Sequence, residues 1–383
     1  MVEKSLKKEK KVEYIELIYD LVFVYIIGKN NSLLHNFSNG FVEQKAFIAY
    51  ILCSLAIIQV WNFSTFYINI FGRNKARDYI FLFINMYLLY FIGEGTRTDW
   101  QNYNIQYHLA WGLILVNVGL QYAIELKNQK GNALNTSIIK RMCFVLFTEA
   151  IIVFSACFTP LNAGIILSAV AIICGVLFTF LSRKGTKESV VDFMHLTERV
   201  MLYVVFSFGE MIIALSSYFT GDGSFSANTI YFSLSAFLIV VGLFLSYGLV
   251  YDKLINREGS YNGLVYMLVH IFIIFSMNNI TASLEFMREE EIRILPKMLF
   301  LVASIVMYFL FIFLLRGYFK EEYKHEKVLL INTTLITAAF VVLMLIFRNN
   351  MYINIIISVI YVFAVYLALY PICRRKTKNA LNE

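Results

Sequence analysis

Residues Glu16 to Asn30 read ELIYDLVFVYIIGKN. The stretch is apolar enough to enter a bilayer, yet Glu16 and Asp20 stand four residues apart, which on a helix puts both carboxylates on one face. The rest of the chain accounts for the apolar part. Of its 383 residues 59% are hydrophobic and 15% charged, and the mean hydropathy is +0.66. A soluble domain carries about 25% charged residues. Apolar runs near the roughly 20 residues that cross a bilayer recur from end to end. Lipid cannot satisfy a free backbone, so such runs are read as helices. The sequence thus predicts an all-α, polytopic transmembrane bundle of about twelve helices. No separate domain is left for soluble catalysis or nucleic-acid binding.

The expected spans are roughly 13–35, 46–71, 78–96, 105–126, 142–159, 162–182, 197–219, 228–250, 261–285, 297–316, 328–347 and 351–373. Most of the 33 Lys and Arg residues fall in alternate connections, beginning with the basic N-terminus and ending with the tail after residue 373. By the positive-inside rule, both termini are then cytoplasmic. The expected organisation is a basic N-terminus (1–12), a first six-helix half (13–182), a linker (183–196), a second half (197–373) and a basic tail (374–383). The first span has a short apolar core, Leu21 to Gly28, followed by the semi-polar KNNSLLHNF. A re-entrant first segment, leaving ten or eleven spans, is the alternative. No small-residue cleavage site follows the basic N-terminus. The five cysteines lie in apolar segments without CxxC pairing, so neither a disulfide framework nor a metal site is expected. No cofactor is implied.

Ionisable groups inside the spans cost at least about 2.5–3.5 kcal/mol each at the bilayer centre, so each needs a reason. Asp20, Glu149, Glu210 and His270 lie at depth; Glu16, the pair Glu198–Arg199 and Asp252 lie nearer the cytoplasmic end, and Glu94 and His108 nearer the outer one. Glu16 and Asp252 can sit in interfacial water. Glu198 and Arg199 can pair locally, His270 can be a hydrogen-bonded core group, and Glu149 can share a proton between helices. Asp20 and Glu210 are flanked by apolar residues on both sides and need a partner or a proton; both are expected to face a polar cavity. Arg199 lies about 16 Å from Glu210 along one helix. It reaches Glu16 or Asp20 only if the first and seventh spans are neighbours. Gly209 would admit a second backbone close to Glu210.

ELIYDLVFVYIIG (16–28) lies without a gap over ERVMLYVVFSFGE (198–210), and the seventh span opens the second six. This points to a parallel six-plus-six repeat, as in one large group of transporters.

The same segments carry a resemblance. Glu16, Leu17, Asp20, Leu21, Val22, Phe23 and Val24, with His35 beyond them, resemble the opening signature of the bacterial low temperature requirement A (LtrA) family. Trp61, Thr65, Tyr67, Asn69 and Phe71 resemble its second motif. His195, Leu196, Glu198, Arg199, Gly209 and Glu210 resemble its third, with weaker matches at Tyr251–Asp252 and His270. The resemblance covers residues 13 to about 290. Ile70 stands where the family tends to have Arg, and Gly72 and Asn74 where it tends to have acids. Membership implies a multi-spanning bacterial inner-membrane protein linked by name to growth at low temperature. It implies no particular reaction.

Three functions are compatible with these residues. A secondary transporter or ion-coupled permease would use Glu16, Asp20, Glu149, Glu198, Arg199, Glu210 or His270 for a small solute or ion, because burial and neighbouring charge tune a carboxylate's proton affinity. A membrane enzyme acting on a lipid or polyprenyl substrate would exploit the cytoplasmic cluster, including the H-x-x-E spacing of His195 and Glu198. A structural or sensory membrane protein is the third. The transporter reading is favoured, and the bilayer is the expected partner.

Overall fold

A computed structural model of the protein describes residues 10–95, 100–181, 191–219, 226–261, 263–287, 289–324 and 326–380. Twelve long helices run through them: α1 (Tyr14–Lys29), α2 (Gln44–Phe71), α3 (Ala76–Gly95), α4 (Trp100–Glu125), α5 (Ala133–Ala156), α6 (Leu161–Leu181), α7 (Phe193–Ala214), α8 (Ala227–Leu249), α9 (Leu264–Phe286), α10 (Ile294–Leu314), α12 (Lys327–Ile346) and α13 (Met351–Ala380). A single turn, α11 (Glu321–Lys324), connects α10 to α12. The only described strands form one small hairpin, β1 (Phe37–Ser38) with β2 (Phe41–Val42). The expected helical membrane bundle is what the chain forms.

Among the described residues, ten helical segments are long and apolar enough to cross a membrane, including α1 with the 3-10 turn that extends it to His35. The two long helices outside this set are α3 and α5, which carry Arg77, Asp78 and Glu94, and Lys140, Arg141 and Glu149. The molecule is inverted relative to a soluble protein. Large apolar side chains such as Phe83, Ile166, Leu335 and Ile346 lie on its outside, whereas Glu16, Asp20, Asn85, Gln121, Arg199 and His270 are buried. In water, so much exposed apolar surface would drive aggregation; in lipid it costs nothing.

Local chemistry sets several boundaries. Asn132 caps α5 by accepting from Asn135 N (3.0 Å), so this helix starts nine residues before the expected span and includes Lys140 and Arg141. Asp192 caps α7 through His195 N (3.1 Å), four residues ahead of expectation, and Ser226 caps α8 through Thr229 N (3.0 Å). Helix α13 continues past Pro371, beyond the span expected to end at 373. The hairpin turns on Asn39 (φ 54°) and Gly40 (φ 83°), the left-handed pair that a two-residue hairpin demands. It docks on the start of α10, where Arg293 N donates to Gly40 O (2.9 Å).

Helices α1 and α7 pack together and run parallel. Glu16 lies beside His195 and Arg199, and Gly28 beside Glu210, so residue numbers rise together along the contact. Around this pair the packing recurs. α1 touches α2 and α3, α3 touches α4, α2 touches α6, and α5 touches α6. Correspondingly, α7 touches α8 and α9, α9 touches α10, α8 touches α13, and α12 touches α13. Tyr122 of α4 donates to the Phe63 carbonyl of α2 (3.4 Å), and Tyr308 of α10 donates to the Leu243 carbonyl of α8 (3.0 Å). Helix α2 also packs on α7 and α9, tying the two sets together.

Candidate functional site

At the N-terminal end of the α1–α7 contact, Arg199 holds both acids of the opening stretch. Its Nη2 donates to Asp20 Oδ1 (3.0 Å), its Nε to Asp20 Oδ2 (3.4 Å), and its Nη1 lies 3.0 Å from Glu16 Oε2. The last is an ion contact and not an aligned hydrogen bond. All three side chains have 0% exposure. Glu16 is therefore not open to interfacial water; it faces Arg199 instead. Glu198, next to Arg199 in sequence, points outward and is exposed, so the two do not form a local pair. Adjacent helix positions lie about 100° apart, so they seldom share a face.

Further groups close around the cluster. Trp61 Nε1 donates to Asp20 Oδ1 (2.7 Å), and its ring stacks on Tyr203 with centroids 4.2 Å apart. His195 Nε2 lies 3.7 Å from Glu16 Oε2, and its Nδ1 lies 3.0 Å from Asn69 Nδ2. Asn69 also donates to the Asp192 carbonyl (2.9 Å) and accepts from Asp192 N (3.0 Å), which fastens α2 to the start of α7. Lys10 donates to the carbonyls of Ile68 and Gly72 and seals the end of the cluster. Burial holds its amine below the ordinary lysine value, against the opposing pull of Glu16. On the other flank Tyr19 donates to Ser64 Oγ (2.8 Å) and accepts from Asn85 (3.2 Å), and Asn117 donates to Asn85 Oδ1 (2.8 Å).

Glu210 occupies a different setting further along α7. It is partly buried and has no hydrogen bond or ion pair among the described residues. It lines a small cavity of about 20 Å³ between α1, α7 and α9, together with Ser207, Asn278 and Thr281. Gly209 faces open space. The close approach comes from Gly28 instead, where a Cβ would lie 2.4 Å from Glu210 Oε1. Asp20 does not line this cavity. The two deep acids thus share a helix seam but serve separate sites.

The described chain matches a family model, bacterial low temperature requirement A protein (LtrA), over residues 11–368. The chain belongs to the LtrA family. This match runs from the residue after Lys10 almost to the end of the last span, well beyond the point near 290 where the motif resemblance stops. No curated protein matches the chain, and no solved structure does.

In this LtrA protein the motif residues from three distant segments converge on one place. Glu16 and Asp20, Trp61 and Asn69, and His195 and Arg199 form the buried cluster. Tyr67 is buried just beyond, accepting from Arg77 Nη2 (3.1 Å), while Arg73 and Arg77 both pair with Glu125 (3.2 and 2.7 Å). Gly72 and Asn74, which depart from the family pattern, flank Arg73 in the connection between α2 and α3. Asp252 is exposed on a π-helical turn after α8, and His35 is exposed where the turn after α1 ends.

Glu149 and His270 stand apart from the cluster. Glu149 is buried on α5 with both oxygens unpartnered, and a Cβ on Gly175 would lie 2.2 Å from its Oε2 and equally close to Gln59 Nε2. His270 is held by the Tyr266 carbonyl (2.7 Å) and the Tyr247 hydroxyl (3.1 Å), a hydrogen-bonded core position. Sequence reasoning passed over Tyr203, Asn85, Asn117 and Asn278, because it sought charge. Uncharged amides at mid-span were the available signal, since each costs free energy in lipid unless bonded.

Proposed function

We propose that this LtrA protein is a secondary transporter of the bacterial cytoplasmic membrane, in which Glu210 exchanges the coupling ion. Glu210 carries the reading: it is a carboxylate without a cation partner among the described residues, lining a cavity where α1, α7 and α9 meet and where Ser207, Asn278 and Thr281 add polar groups. Such an acid is kept in a membrane protein when an ion or substrate visits it. The Glu16–Asp20–Arg199 cluster suits a different role. Sealed, hydrogen-bonded and bidentate, it locks the N-terminal ends of α1 and α7 together.

In this reading α1–α6 and the six long helices from α7 to α13 are two halves in the same orientation, divided within the expected linker 183–196, with both termini cytoplasmic. The recurring helix contacts and the parallel α1–α7 pair support it, and alternating access would rock one half against the other. Among the alternatives, the metal-assisted enzyme gains no support from His195 and Glu198: His195 is buried against Asn69 and Glu16, whereas Glu198 is exposed.

The test is solute-dependent ion flux. Proteoliposomes with a trapped pH dye and radiosodium are challenged with a panel of amino acids, sugars, organic cations and inorganic ions. Wild-type protein should give flux with at least one class, and Glu210→Gln should reduce it to that of empty liposomes. Coupled flux undiminished in Glu210→Gln would refute the mechanism.

A further inference from the structure

The oxygen chemistry of the Glu210 cavity goes further than the presence of an acid. Four polar side chains line it: Ser207 and Glu210 on α7, and Asn278 and Thr281 on α9. Each pair is spaced i, i+3, which puts its members on one helix face. All but one of their hydrogens are committed elsewhere. Ser207 donates to the Tyr203 carbonyl (3.0 Å), and Thr281 donates to the Met277 carbonyl (3.1 Å). Asn278 is oriented by a neighbour outside the cavity. Tyr50 gives its proton to Asn279 Oδ1 (2.6 Å), so the Tyr50 oxygen can only accept, and Asn278 must present its Nδ2 to it (3.0 Å). That commits one of the two Nδ2 hydrogens and leaves the Asn278 carbonyl oxygen as the free acceptor of the amide.

The lining therefore offers one carboxylate and three oxygen atoms with spare lone pairs, while the remaining lining residues are glycine, aliphatic or methionine. Ser207, Asn278 and Thr281 are each more than nine-tenths buried. A cavity rich in acceptors and poor in donors does not suit an anion. It suits a hard cation, whose ligands are carboxylate, carbonyl and hydroxyl oxygens. The single carboxylate sets the charge: a monovalent ion leaves the site neutral, whereas a divalent ion leaves an uncompensated charge inside the bilayer. A proton alone would need one oxygen, and three further oriented acceptors would be superfluous. The cavity volume of about 20 Å³ admits one water-sized occupant, the scale of a single desolvated ion.

We infer that the α1–α7–α9 cavity is an alkali-cation site, with Glu210, Asn278, Thr281 and Ser207 as oxygen ligands and Na+ as the ion it takes. This inference rests on the coupling role given to Glu210 above and names the ion. Gly28 contributes the bare surface that allows the carboxylate to lie against α1.

The experiment is thermal unfolding of the purified full-length protein in detergent, titrated with NaCl against choline chloride at constant ionic strength. A ligand that binds only the folded state raises its stability with concentration. The expected result is a Na+-specific rise in Tm, abolished in Glu210→Gln. Thr281→Val, which removes an oxygen while keeping the shape, should weaken the apparent Na+ affinity at least about tenfold. Each variant is compared with itself in choline, so a general loss of stability does not obscure the result. Equal Tm values in the two salts, or a Na+-specific rise that survives Glu210→Gln, would overturn the site. Failure here with a Glu210-dependent proton flux intact would leave the transport reading standing. Na+ binding without any solute-coupled flux would uphold the site and remove transport.

Discussion

At the residue scale, Arg199 decides the character of the opening stretch. One guanidinium neutralises part of a site holding two carboxylates, with Trp61 donating to Asp20 and His195 close to Glu16. Removing a single partner from a buried ion pair strands charge and costs about 3–5 kcal/mol. Arg199→Gln should therefore lower the Tm sharply in detergent. Neutralising the acids as well, in the triple variant Glu16→Gln, Asp20→Asn, Arg199→Gln, should recover part of the loss. Arg199→Lys should fall between, since a lysine keeps the charge but not the fork that reaches both acids. A Tm for Arg199→Gln equal to wild type would show that the cluster contributes nothing to cohesion. The depth of Asp20 and its need for a partner were legible in the residues. That Glu16 is buried was not, because position along a helix says nothing about what covers it.

At the element scale, the α1–α7 seam is where the molecule's two deep acids are handled differently. The N-terminal end is bonded shut; the Gly28–Glu210 end is open to a cavity. Gly28→Ala tests the second end. The atom its Cβ would strike is the terminus of a flexible glutamate side chain, so the carboxylate should swing aside while the helices stay packed. The expected outcome is a near-wild-type Tm in choline chloride with coupled flux reduced at least about tenfold, as measured in proteoliposomes. A flux equal to wild type would show that the carboxylate does not need its present position. Gly209, the glycine singled out by its place beside Glu210, has no neighbour within 4 Å. Glycine content marks where a close contact is permitted, and only the docked helix shows which glycine is used. The Asn39–Gly40 turn, by contrast, was a readable hairpin signal masked by the surrounding search for spans.

At the scale of the whole molecule, twelve long helices and the recurring contact pattern predict that both termini share one side of the membrane. Reporter fusions at residues 1 and 383 that fluoresce only in the cytoplasm should both light up. Fusions in the connections after α1, α3 and α5 should stay dark when made with that same reporter. A cytoplasmic signal after α1 would instead restore the re-entrant first segment. The helix α3 matters for this count, since it lies outside the set of strongly apolar spans and carries Arg77, Asp78 and Glu94. Arg77 pairs with Glu125 of α4, so that charge is answered within the bundle.

By itself the sequence determined that this is a multi-pass helical membrane protein of the LtrA family, and which residues were too polar for their depth. Composition and length suffice for the membrane helices, because lipid admits few alternatives to a closed helix, while the family rests on its motif residues. Only the tertiary structure decided which polar groups answer one another. Glu16 and Asp20 meet Arg199 across 179 or more residues of chain, Trp61 joins from another helix, and Glu210 is left facing Asn278 and Thr281. Helical periodicity specifies the face on which a side chain lies, but the energy of a buried charge depends on the neighbour facing it, which is set by how the helices pack.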